Sequence, residues 1–124
     1  MANDTLKKSV TFISRHAPYG VNNARLTLDM ALASAVFGQN VSYVFMQDGI
    51  YQLLKNQHAD GIHSKTLGKA LETLSLYGID EVCVDAESLA ERNIQSSELI
   101  KDVQLVSRVE IAKLIDEADA VFNL

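Results

Sequence analysis

The chain has 124 residues, 48% of them hydrophobic and 22% charged, and a net charge of -5, the composition of one globular domain with one core. Its cations are scattered, with Lys7-Lys8 the only doublet, which argues against direct nucleic-acid binding, and no apolar run approaches the ~20 residues of a membrane helix. The single cysteine, Cys83, excludes an intrachain disulfide and a multi-cysteine zinc site.

Met1 to Lys8 carries no apolar segment after its charges, so it does not read as a secretory signal, and a cytoplasmic location is expected. Lys8 to Arg15 then reads as a first strand, with Val10, Phe12 and Ile13 apolar. Arg15 to Gly20 is a loop holding the only proline. Asn22 or Asn23 can cap a helix whose apolar residues Leu28, Ala31, Leu32, Ala35 and Val36 recur on one face. Gly38 is its natural stop.

Val41 to Met46 is a short β-branched, aromatic and apolar run, read as a buried second strand. Asp48-Gly49 turns the chain, since glycine tolerates positive φ and aspartate can bond its own backbone. Ile50-Tyr51-Gln52-Leu53-Leu54 follows at the strand's carboxyl end, where open α/β sheets meet ligands and partners. Two readings stand for this apolar segment: it folds back on its own domain, or it forms a surface for another subunit.

Lys55 to His63 is polar and loop-like. Ser64 can cap a helix with the face Leu67, Ala70, Leu71 and Leu74, ended by Gly78. Glu81 to Val84 is a third strand, and Asp85 can cap a short helix over Ala86–Arg92. Asp102 to Val106 is a fourth strand. Ser107 and Glu110 fit a capping box for a helix with Ile111, Leu114, Ile115 and Ala118 on one face. Ala120 to Phe122 is a last strand. The alternation predicts a three-layer α/β/α fold with a mostly parallel sheet of about five strands, in a single domain over residues 1–124.

The common α/β chemistries find no support. G-x-G-x-x-G and G-x-x-x-x-G-K-[ST] are missing, so no phosphate cradle and no cofactor is expected. There is no G-x-S-x-G elbow. His16, His58 and His63 share no helical face and complete no ligand set, so no metal is expected. Cys83 is the one candidate nucleophile, but it sits between Val82 and Val84 inside a strand, where a thiol is more often packed than reactive. The better-placed position for sulfur chemistry, two residues later at the strand end, holds Asp85.

Three segments carry a resemblance to a known family: Ala17-Pro18-Tyr19-Gly20, Asp48-Gly49-Ile50-Tyr51-Gln52-Leu53, and Asp85-Ala86-Glu87-Ser88-Leu89-Ala90-Glu91-Arg92. Together they resemble the TusC/DsrF family over nearly the whole chain, and D-G-[IV]-[YF]-Q-L is the most specific of them. The resemblance implies a DsrE/DsrF-like fold and a subunit of a sulfur-relay complex. In TusBCD, TusC joins TusB and TusD in a hexamer with two copies of each, passing persulfide sulfur through a downstream acceptor towards 2-thiolation of the wobble uridine in tRNA. DsrF holds the equivalent place in DsrEFH of sulfur oxidisers. In the relay the sulfur-carrying cysteine belongs to the TusD/DsrE subunit. An ungapped match through the short helix puts that cysteine on Asp85, which implies a non-catalytic partner subunit. DsrF-type chains carry extra acidic sequence before the last helix, and its lack here favours TusC.

The apolar character of the segment, its place after the turn and its family-like sequence assign Asp48, Gly49, Ile50, Tyr51, Gln52 and Leu53 to a subunit interface, and Asp85 is read as a structural cap from its place between an apolar strand and a helix-forming run. The alternatives are a small autonomous thiol enzyme using Cys83 and a stand-alone oligomer that binds a small ligand at the sheet edge.

Overall fold

The computed structural model describes residues 8–17, 23–54, 71, 73–100 and 103–123. Five strands form one sheet: β1 (Ser9–Ser14), β2 (Asn40–Phe45), β3 (Glu81–Asp85), β4 (Gln104–Val106) and β5 (Ala120–Asn123). Their order is β4-β3-β2-β1-β5, and every pairing is parallel. Three α-helices are described: α1 (Asn23–Val36), α2 (Ala86–Glu91) and α3 (Arg108–Glu117). Short 3-10 turns occupy Gln47–Leu53, Leu74–Tyr77 and Ser96–Glu98.

Register explains how the core divides. Partners across parallel strands point to the same side, so Phe12, Tyr43 and Val82 share one face while Ile13, Val44 and Cys83 share the other. The first face carries the large residues, and α1 packs on it through Ala24, Leu28 and Ala31. The second face is thinner: Ile13, Val44, Cys83 and Val106 lie under Ile111 of α3, with Leu114 beside them. Helices therefore cover both faces, as the βα alternation requires.

Local differences from the sequence reading have physical causes. Val36 is 70% exposed, because α1 turns its Ala24–Thr27–Leu28–Ala31 stripe inward and its last residue falls off that stripe. On α3, Ile111 alone is fully buried, and Ile115 points largely to solvent. Leu71 and Leu74 are buried as expected, and Gly78 closes the Leu74–Tyr77 turn in the left-handed region. The rest of the Ser64 helix, the Lys55–His63 loop and residues 18–22 lie outside the described residues.

The turn after β2 also differs. Its positive φ belongs to Gln47, at 53°, and not to Gly49. Gly49 serves close approach instead: a Cβ there would stand 2.0 Å from the Ser14 carbonyl oxygen, which is backbone and cannot step aside. Gly49→Ala is therefore expected to destabilise the chain by roughly 1–3 kcal/mol or more, the cost of forced overpacking. Urea melts of the two proteins measure it; equal midpoints would remove this contact from the account.

Candidate functional site at the carboxyl end of the sheet

The ends of β1, β2 and β3 meet the Gln47–Leu53 turn and α2. Within the turn, Gly49, Ile50, Gln52 and Leu53 are buried in the chain's own domain, Tyr51 is half-buried and Asp48 is exposed. Ile50 and Leu53 join the α1-side core. Each such burial is worth about 1.5–3 kcal/mol. The interface expectation is corrected for these buried residues: the fold-back reading describes them, because the core beneath was open to them and the segment had a short way to travel. Only Asp48 and Tyr51 still present surface to a partner.

Polar contacts pin the turn in place. The Gln52 side-chain amide donates to Ser14 Oγ at 2.7 Å and to the His16 carbonyl at 2.8 Å, which ties the turn to the loop after β1. The Gln47 N–H donates to Ser88 Oγ at 2.8 Å. Arg92 reaches Asp48 through Nε at 3.1 Å and a terminal nitrogen at 3.0 Å. Beyond the turn, the Ile100 N–H donates to the Leu53 carbonyl at 2.8 Å.

Asp85 is the centre of the remaining contacts. It is wholly buried and holds the position before α2, yet its carboxylate makes no bond to a helix amide. The expected structural cap is thus one by position only. Oδ2 accepts instead from Ser88 Oγ at 2.6 Å and from Arg108 Nε at 3.1 Å, while Oδ1 has no partner. The hydrogen bond to Asp85 is the main influence holding the Arg108 guanidinium more firmly charged, with the charges of Glu87 and Glu91 adding to it. Four carboxylates and two guanidiniums meet here: Asp48, Asp85, Glu87 and Glu91 against Arg92 and Arg108. Carboxylates outnumber guanidiniums in this arrangement, with Arg108 shared among Asp85, Glu87 and Glu91.

Cys83 stands two residues back, 1% exposed on the α3 face. Burial pushes its thiol up to about 11, and the charges of Glu81 and Glu110 push the same way. A thiol held neutral in this way is neither a ready nucleophile nor a ready ligand. Among the described residues no group of three or more His, Cys, Asp or Glu is gathered to hold a metal ion; His58 and His63 lie outside them. Two participants escaped the sequence reading. Ser88 was detectable, since a hydroxyl three residues after the strand-end aspartate shares its helical turn. Arg108 was not, because its meeting with Asp85 requires β4 to lie next to β3.

Residues 8–124 match the model of the DsrE/DsrF-like family. The chain belongs to the DsrE/DsrF-like family. It is 34% identical over 114 residues to a "Protein TusC homolog" of Vibrio parahaemolyticus, covering 92% of this chain and 97% of that one. To "Protein TusC" of Buchnera aphidicola it is 33% identical over 117 residues, covering 94% and 98%. To the "Intracellular sulfur oxidation protein DsrF" of Allochromatium vinosum it is 30% identical over 130 residues, covering 94% and 96%. Among solved structures, the ychN protein of E. coli superposes with a TM-score of 0.79 at 22% identity, covering 94% of this chain and 99% of that one. This last likeness concerns the fold, which is the DsrE-like α/β arrangement expected from the sequence. No helix among the described residues is long and apolar enough to cross a membrane.

Two outcomes test the site. The raised Cys83 value means the fold favours the neutral thiol, so its stabilising share is complete below pH 9 and is lost as pH climbs through 11. Stability of the parent should therefore fall relative to Cys83→Ala by on the order of 2–3 kcal/mol across that window. Paired denaturant melts at several pH values read this difference, in which the buried Tyr43, common to both proteins, cancels; parallel curves would contradict it. At Asp85, Asp85→Ala should cost about 1–3 kcal/mol through lost bonds and packing. Arg108→Gln should be worse than Asp85→Asn, since it leaves a buried carboxylate without its cation. A double-mutant cycle checks the ordering.

Proposed function

We propose that this chain is a non-catalytic, TusC-like subunit of a cytoplasmic sulfur-relay complex supporting 2-thiolation of the tRNA wobble uridine. Its partners are TusB-like and TusD-like subunits, in a hexamer with two copies of each. A persulfide acceptor takes the sulfur onward, and the chain itself touches neither nucleic acid nor membrane. The observation that carries the non-catalytic role is Asp85. The position that the family resemblance aligns with the sulfur-carrying cysteine is a wholly buried carboxylate bound to Ser88 and Arg108. Near full-length likeness to proteins named TusC supports the assignment of the subunit.

A DsrF-like role in sulfur oxidation is the second reading, favoured by the likeness to the Allochromatium protein. That alignment spans 130 residues, longer than this chain, so it contains positions without counterpart here. The Vibrio alignment needs no such excess, which supports the TusC side.

The test is co-expression with the TusB-like and TusD-like proteins of the same genome, followed by size exclusion and a sulfur-transfer assay. A stable three-component complex is expected, and Cys83→Ser should transfer sulfur at close to the parental rate. Loss of transfer with assembly intact would put the thiol in the relay and overturn the non-catalytic reading. Failure to assemble would overturn the subunit reading. Tyr51→Ala should leave the isolated chain folded by circular dichroism and weaken co-purification; unchanged assembly would remove Tyr51 from the interface.

A further inference from the structure

Two elements on the α1 face of the sheet end in the same way. α1 runs out through Val36-Phe37 into Gly38, and the Leu74–Tyr77 turn runs out through Leu76-Tyr77 into Gly78. Both glycines take the left-handed conformation, with φ of 85° and 86°, the usual helix stop. Each then leads the chain into a strand, β2 from Asn40 and β3 from Glu81, and these strands are neighbours in the sheet. α1 and the turn also pack against each other, so their two ends stand together at the amino end of the sheet. Four large apolar side chains face water there: Phe37 at 82% exposure, Leu76 at 81%, Val36 at 70% and Tyr77 at 50%.

Area and charge decide what covers this patch. A whole aromatic side chain presents about 150–250 Å², so at these exposures the four side chains offer on the order of 500 Å². That is the upper part of the range a monomer leaves in its largest apolar patch, about 300–600 Å². Set against an identical patch, it would bury about 1,000 Å² in all, enough for a specific contact and more than chance packing usually reaches. The chain carries no charged residue between Asp29 and Asp48, and none between Glu72 and Asp80. At the rim Lys8, whose amide donates to the Gln39 side chain, and Asp80 supply one charge of each sign.

A two-fold contact sets a surface against itself, so a surface of one sign repels its own copy. This patch is free of that repulsion. Two chains of net charge -5 can meet on it without setting carboxylates against one another. A strongly basic or acidic partner would find little to pair with. We propose that the Val36-Phe37 and Leu76-Tyr77 patch is a two-fold contact between two copies of this chain. It lies at the opposite end of the sheet from Asp48 and Tyr51, so the two surfaces can be occupied together and tested apart.

Sedimentation equilibrium of the full chain from about 1 μM to 1 mM tests the contact. A monomer–dimer equilibrium is expected. Phe37→Ser and Leu76→Ser should each weaken it by roughly tenfold or more, the worth of one buried large side chain. Val109→Ser, which removes a residue of α3 that is 79% exposed, should dimerise within about twofold of the parent. All three positions are exposed, so the variants should keep the parental circular dichroism. A parent that is monomeric throughout, parental affinity in folded Phe37→Ser and Leu76→Ser, or an equal loss in Val109→Ser would each overturn the contact. So would protection of the patch from hydrogen exchange only on addition of the TusB-like and TusD-like proteins, which would give it to them. Dimerisation through the patch without a three-component complex would overturn the subunit reading and leave this contact standing.

Discussion

The carboxyl end of this sheet depends on one close contact, the Gly49 backbone against the Ser14 carbonyl. Any larger residue would lift the Gln47–Leu53 turn off the end of β1. The turn would then lose the seats of Ile50 and Leu53 in the core. It would also lose the Gln52 bonds that hold the loop after β1. The most family-like stretch of the sequence is thus explained first by packing. Its glycine is needed for space, its glutamine for two bonds, its apolar residues for the core, and only Asp48 and Tyr51 are left to face outward.

The same turn connects to Asp85 through a single hydroxyl. Ser88 donates to Asp85 and accepts from the Gln47 amide, so the positive φ of Gln47 and the buried carboxylate are held by one side chain. Arg108 then links this cluster to the start of α3. A buried ion pair is not in itself a source of net stability, since desolvation opposes its attraction. What it contributes here is arrangement: the Asp85–Arg108 pair ties the end of β3 to the chain after β4.

Much of the architecture was legible in sequence because the code for it is local. Short apolar runs, helical spacing and capping residues placed each described strand and α-helix within a residue or two, and Ser107 with Glu110 gave the capping box found at α3. What was not legible was whatever depended on neighbours distant in sequence. Gly49 looked like a residue chosen for positive φ, because the Ser14 carbonyl 35 positions earlier cannot be seen from the turn. Ile50 and Leu53 were compatible with a partner or with the core until the strand order was known. Asp85 looked like a cap because strand-end aspartates usually are, and only the adjacency of β4 brings Arg108 to it.

The two faces of the sheet differ in thickness, and this difference bears on Cys83. The α1 face holds the aromatics, with Tyr43 and Phe45 stacked at 4.5 Å. Among the described residues the α3 face is covered by α3, of which Ile111 is the buried residue. Shielding of the thiol therefore rests on α3 staying docked, and α3 begins at a capping box in which Glu110 accepts from the Ser107 amide and donates its own amide to Ser107 Oγ. Glu110 also opposes the thiolate through its charge. One glutamate thus acts on Cys83 twice, by holding the cover in place and by making ionisation beneath it harder, so the shielding of the thiol is a property of α3 as much as of the strand that carries it.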